Sequence, residues 1–171
     1  MLVPMSAPSP QTTLRAATAA DVPIILGFIR ELAAYEKLEH QVVATEALLA
    51  EQLFGPRPAA EVVIADVDDA AVGFALFFHN FSTFLGRPGL FLEDLYVQPH
   101  ARGLGIGKAL LRHLAGLAVA RGCGRMDWNV LDWNAPAIGF YRKLGADLLP
   151  DWRTCRVTGD ALKALAENGG D

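Results

Sequence analysis

Cysteine is scarce in this 171-residue chain: only Cys123 and Cys155 occur, isolated from each other and from any metal-ligand or redox spacing. That excludes a disulfide scaffold and a zinc module, and predicts reduced thiols in the core or at an edge. Positive charge is also short, with 15 Lys and Arg against 19 Asp and Glu and a formal net charge of −4. Such a chain offers no basic footprint to nucleic acid or to an anionic membrane; a cationic substrate suits it better. No apolar run reaches the ~20 residues of a membrane helix. The longest uncharged stretch, Ala70 to Gly86, carries His79, Asn80, Ser82 and Thr83 and reads as a buried strand with a following loop. His40, His79, His100 and His113 fall in no ligand or triad spacing, so no metal is assigned. The opening "MLVPMSAPSPQTT" lacks the basic start and continuous apolar centre of a signal peptide. Residues 1–11 are therefore expected to be a disordered lead-in, and the protein cytoplasmic.

What is present is enough for one core: 52% of residues are hydrophobic, and residues 12–171 read as a single domain without repeats or linkers. "TTLRAAT" predicts a short strand, with Thr18 and Asp21 in capping-box spacing ahead of an amphipathic helix ending near Glu39. Its apolar stripe is Ile25, Phe28, Ile29, Leu32 and Ala33. "TEALLAEQLF" is a second helix with Thr45 as cap, stopped by Gly55, Pro56 and Pro58. "EVVIAD" and "AAVGFALFFH" predict two antiparallel strands joined at "DVDD", and "GLFLEDLYVQP" a third. A long helix from Gly107 to Arg121 follows, closed by Gly122. "RMDWNVL" is then a strand, "PAIGFYRKL" a helix capped by Asn134, "WRTCRVT" a last strand and "DALKALAEN" a terminal helix. The order predicts an α+β fold, a mixed sheet with helices on both faces.

Between the third strand of that run and the long helix lies "RGLGIGKALL", with glycine at 103, 105 and 107. A P-loop would need glycine at Arg102 and Ser or Thr at Ala109, and a dinucleotide fingerprint would need glycine at Lys108. Both readings fail. A strand entering a helix through glycines still aims backbone N–H groups at one spot, reinforced by the positive helix end, so the loop remains an anion site with Arg102 and Lys108 at its rim.

"EDLYVQPHARGLGIGKALL" resembles the acetyl-CoA-binding segment of the GCN5-related N-acetyltransferases (GNAT), with Arg102, Gly105 and Gly107 at its signature positions. "NAPAIGFYRKLGA" is similar to that superfamily's second signature through Asn134, Tyr141, Lys143 and Gly145. "ELAAYEKLE", "FLEDLYV", "VLDWN" and "FYRKLGA" resemble its spermidine/spermine (diamine) branch. Ser82 and Thr83 replace an acidic residue of the polyamine enzymes, and "STFLGR" with "VLDWN" looks more like the thialysine-acetylating members.

The resemblance implies a GNAT fold in which strands four and five, "FLEDLYV" and "RMDWNVL", splay apart to admit the donor. It implies that the backbone of Leu95, Tyr96 and Val97 holds the pantetheine arm, and that Arg102, Gly103, Leu104, Gly105, Ile106, Gly107 and Lys108 hold the pyrophosphate. Asn134, followed by Ala135, Pro136 and Ala137, caps a helix and bonds the arm. It further implies Tyr141 as general acid for the leaving thiolate and Glu93 as base through ordered water. Asp94, on the opposite face by strand alternation, fits an edge ion pair better. The amine pocket is implied to be lined by Tyr35, Glu36, Ser82, Asp127, Trp128 and Asn129. Expected, then, is an enzyme with acetyl-CoA as co-substrate, no metal, and a small-molecule amine as acceptor by direct transfer in a ternary complex. A homodimer is expected by the same resemblance. Acetylation of protein or antibiotic amines, and a non-catalytic acyl-CoA sensor, remain alternatives at this point.

Overall fold

Alternating apolar residues build the sheet, and short local signals set its turns. The computed structural model describes residues 11–167. Contacts divide it into two units, one up to Asn129 and one from Val130. Of the expected lead-in only Gln11 is among the described residues, and its N–H donates to Asp68 Oδ1 at 3.1 Å.

In the first unit, β1 (Thr12–Ala16), β2 (Glu61–Val67), β3 (Ala70–Ser82), β4 (Arg87–Val97) and β5 (Met126–Trp128) form one sheet in that order. The first four are antiparallel neighbours, and β5 runs parallel to β4. Val67 pairs with Ala70, so Asp68 and Asp69 form a two-residue turn with φ of 49° and 65°. Paired left-handed residues give the turn whose twist matches a hairpin, and Asp tolerates them.

Helices cover both faces, as the α+β reading expects. α1 (Val22–Glu36) and α2 (Glu46–Phe54) bury Ile25, Phe28 and Leu53 against Val62, Ile64, Phe74 and Tyr96. The opposite face takes α3 (Ile106–Ala120), whose Ile106, Leu110, Leu111, Leu114 and Ala118 are all buried. Each such leucine contributes roughly 2 kcal/mol by leaving water. Thr45 Oγ1 accepts from Leu48 N–H at 3.3 Å, the expected cap of α2.

α1 begins at a buried charge cluster. Asp21 accepts from Thr18 N–H at 2.7 Å and from both terminal nitrogens of Arg15, at 2.8 and 2.9 Å, while Arg15 Nε donates to Asp66 at 2.7 Å. Those hydrogen bonds, Arg15's foremost, hold the Asp21 carboxyl down at about 2. A folded pKa below the unfolded value gives stability that is present above about pH 4 and lost as pH falls toward 2. Asp21→Asn should therefore lower unfolding free energy by about 2 kcal/mol at pH 7, and by much less at pH 2.5. Urea titrations at the two pH values check this.

α1 ends earlier than expected. Lys37 adopts φ 63° and its N–H bonds Ala33 and Ala34 carbonyls, which stops the helix at Glu36 rather than near Glu39.

The second unit holds α4 (Ala135–Lys143) and α5 (Gly159–Glu167). Asn134 Oδ1 accepts from Ala137 N–H at 3.3 Å, with Pro136 in the first turn, so this helix start matches the expected cap. "WRTCRVT" is not a strand: residues 152–158 enter no ladder. Its alternation sets Arg153, Cys155 and Val157 against Trp152, Thr154 and Arg156, giving neither side a continuous apolar face, and a strand persists only where it is paired.

Candidate active site

One inserted residue shapes the site. Leu76 of β3 stands opposite Asp94, but Phe77 stands opposite Leu92, so Glu93 is the extra residue of a β-bulge on β4. Asp94 and Tyr96 thereby share the α1 face with Phe74 and Leu76, whereas Leu90 and Leu92 join Phe77 on the α3 face. A bulge bends and twists its strand. The ladder between β4 and β5 accordingly covers only Leu90–Leu92 against Met126–Trp128, shorter than the expected strand over residues 125–131. From Glu93 to Val97, β4 has no ladder partner on that side among the described residues. These are the parted strands four and five of the sequence expectation.

The open edge leads straight into the glycine loop. After one tight turn at Pro99–Ala101, Gly103 and Gly105 take φ of 82° and 81°, and Gly105 is the N-cap of α3. A Cβ at either glycine would meet nothing within 4 Å, so glycine is required by the left-handed backbone rather than by crowding. The first intrahelical N–H bond is Ala109 to the Gly105 carbonyl, at 2.9 Å. The N–H groups of Ile106, Gly107 and Lys108 are left without a helical acceptor, and Gly105 has no side chain to cap them. Bare amides at a positive helix end form a cradle for an anion such as a phosphate.

Carboxylates gather beside that edge. Glu36 is the last residue of α1, Glu93 is the exposed bulge residue, and Asp94 is half-buried. Burial, then Glu93, then Glu36, pushes the Asp94 carboxyl up to about 6, and burial also raises Glu36. The ion pairs among the described residues involve none of the three. Asp94 is thus no edge ion-pair carboxylate; the bulge turns it toward α1 and its acids, a placement plain alternation could not anticipate. A cluster of like charges held partly out of water is relieved by a proton or by a bound cation.

Tyr35 lies one residue before Glu36, its ring 5.1 Å from the Arg102 guanidinium, which also lies 5.7 Å from the Tyr96 ring. Arg102 Nε donates to the Val97 carbonyl at 2.9 Å. Asp127 stands opposite Phe91, accepting from Arg125 Nε at 2.7 Å and from Asn80 Nδ2 at 3.5 Å. Trp128 stands opposite Leu92, next to the bulge, and Asn129 follows it. Ser82 is not brought to this group. It lies six residues along β3 from Leu76, roughly 20 Å away, where its Oγ accepts from Leu85 N–H at 3.2 Å inside the β3–β4 hairpin.

In the second unit, Tyr141 lies seven residues, about two turns, beyond Asn134, so both fall on one side of α4. Ala135, Pro136 and Ala137 form that helix's first turn.

Two features escape the sequence. Nothing in "FLED" marks a register break, so Asp94 reads as the lesser of two adjacent acids. The side-chain partners of Arg102 are also hidden, because Tyr35 lies on a distant element.

Residues 29–146 match the model of the acetyltransferase (GNAT) family. The chain is 34% identical to an L-ornithine N5-acetyltransferase of Arabidopsis thaliana, over 96% of this chain and 98% of that protein. It is 37% identical to a thialysine N-epsilon-acetyltransferase of Mus musculus, over 91% of this chain and 97% of that one. Among solved structures, an integron cassette protein from the mobile metagenome of V. cholerae shares the fold with a TM-score of 0.77 at 29% identity, covering 92% of this chain and 98% of that chain. The chain belongs to the GNAT acetyltransferase family, in its spermidine/spermine and thialysine branch, and is an acetyl-CoA-dependent N-acetyltransferase.

Proposed function

We propose that the acceptor is a small diamine or diamino acid, of the thialysine or ornithine kind, and that acetyl passes to it directly from acetyl-CoA in a ternary complex. The observation that carries this reading is the group of Glu36, Glu93 and Asp94 beside the open edge of β4, which none of the ion pairs among the described residues involves. An acceptor with a second cationic group supplies the missing charge, whereas a neutral monoamine does not. The relatives that act on thialysine and on L-ornithine support the same class.

In this mechanism the pantetheine arm lies along Glu93–Val97 as an added strand, bonding the backbone of Leu95, Tyr96 and Val97. The pyrophosphate rests on the amides of Gly103–Lys108. An N–H on the open edge polarises the thioester carbonyl. The amine nitrogen attacks that carbon, the C–S bond breaks, and the amine proton leaves through water to a carboxylate. Tyr141 gives its phenolic proton to the departing sulfur, and Asn134 bonds the arm. Free alkylamines have a pKa near ~10.4, so the attacking form is scarce at neutral pH without such a base.

Glu93 is one candidate for that base. Asp94 is the second, favoured by a carboxyl at about 6, because general bases work best with a pKa near the operating pH.

Two measurements address the reading. CoA release over ornithine, thialysine, lysine, putrescine, spermidine, a monoamine and a peptide should give the highest kcat/KM for the short dicationic compounds. A monoamine or peptide as the best acceptor would refute it. Gly105→Ala, which forces a Cβ into left-handed backbone, should raise the KM for acetyl-CoA about tenfold with kcat at saturation little changed. Initial rates over varied acetyl-CoA decide that.

A further inference from the structure

Arg102 sits at a signature position of the donor loop, yet its side chain is engaged elsewhere. Its guanidinium lies within 6 Å of two ring centroids, Tyr35 at 5.1 Å and Tyr96 at 5.7 Å, the range of cation–π attraction. Its Nε is committed to the Val97 carbonyl. The two tyrosines belong to different elements. Tyr35 is on the last turn of α1 beside Glu36, and Tyr96 is on the open edge of β4, packed with Phe28 at 6.1 Å.

A second tie crosses the same seam one helical turn earlier. Gln98 Nε2 donates to both carboxylate oxygens of Glu31 at 3.2 Å. Glu31 and Tyr35 are four residues apart and so lie on one face of α1. The end of α1 is thereby stitched to β4 and to the start of the loop. The pyrophosphate cradle has its own donors, the bare amides of Ile106–Lys108.

We infer that Arg102 is a positioning residue: held between Tyr35 and Tyr96 and bonded to Val97, it fixes the acceptor-side end of α1 to the donor strand, and its side chain serves amine recognition more than acetyl-CoA anchoring. The inference rests on the proposed function for its account of the acceptor. Planarity is the property that matters, since a flat guanidinium meets two rings and a carbonyl together, while a lysine ammonium is a single point charge. Lysine is therefore no substitute here, although it would be an adequate one on a phosphate.

The test compares Arg102→Lys with Arg102→Gln. Both should raise the KM for the amine about tenfold and leave the acetyl-CoA dissociation constant, measured by calorimetry without amine, within about threefold of wild type. The brace is read independently of turnover by a thermal double-mutant cycle of Arg102→Gln with Tyr35→Leu. Their effects on Tm should be clearly non-additive, because either change removes the same contact. A tenfold loss of acetyl-CoA affinity in Arg102→Gln that Arg102→Lys restores would overturn the inference. So would strict additivity in the thermal cycle. A wild type that binds acetyl-CoA but acetylates none of the small amines refutes the proposed acceptor class; the thermal cycle still decides the brace.

Discussion

Tyr141→Phe is expected to lower kcat by about 10²–10³-fold, the usual worth of a positioned proton donor. A thiolate leaving from a tetrahedral centre needs its charge quenched as the C–S bond breaks, and phenylalanine keeps the ring while removing the proton. Acetyl-CoA affinity should stay within about threefold, because in the proposed mechanism the donor is held by backbone groups of β4 and the loop. Single-turnover rates with calorimetric binding separate the two. Asn134 belongs to the same account, but its loss should also weaken α4, since its Oδ1 accepts from Ala137 N–H.

Asp94→Asn should reduce kcat/KM for the amine about 10²-fold at pH 7 and remove the acid limb of the pH profile. The sign follows from the raised carboxyl. With its pKa near 6, Asp94 is ionised and able to accept a proton above that value, and it loses this ability as pH falls through it. Wild-type kcat/KM should therefore decline below about pH 6. The variant should be nearly flat there, while Glu93→Gln lowers the neutral-pH rate yet keeps the limb. A limb that survives in Asp94→Asn and vanishes in Glu93→Gln would assign the base to Glu93 instead. Stability supplies a control. A carboxyl whose folded pKa lies above its unfolded value opposes folding as pH rises from about 4 to 6. Asp94→Asn should then melt higher than wild type at pH 7, so low activity would not reflect unfolding.

Elements whose cause is local were legible in the sequence. Thr45 and Asn134 cap helices through their own side chains, and Asp68–Asp69 turn through their own backbone preference. The apolar repeat of Leu110, Leu111, Leu114, Leu117 and Ala118 gives the core side of α3, all of it buried except the half-buried Leu117. The glycine loop was legible for the same reason: left-handed φ at Gly103 and Gly105 is a property of those residues.

Features set by long-range pairing were not legible. The bulge at Glu93 comes from the register between β3 and β4, and it alone turns Asp94 toward Glu36 and ends the ladder to β5. Ser82, expected in the amine pocket by resemblance, instead serves the hairpin, its Oγ accepting from Leu85 N–H. Arg102 reads as charge at a phosphate rim, and only the packing of α1 on β4 reveals the two tyrosines on which it rests.

Direct acetyl transfer to a small dicationic amine is tested most directly by a single-turnover experiment with radiolabelled acetyl-CoA. Enzyme in excess over the donor is incubated alone and then given ornithine or thialysine. The label should remain on CoA until the amine is added, and should then appear on the amine with release of free CoA and none on the protein. Label trapped on the enzyme before the amine, or no labelled amine afterwards, would contradict the account.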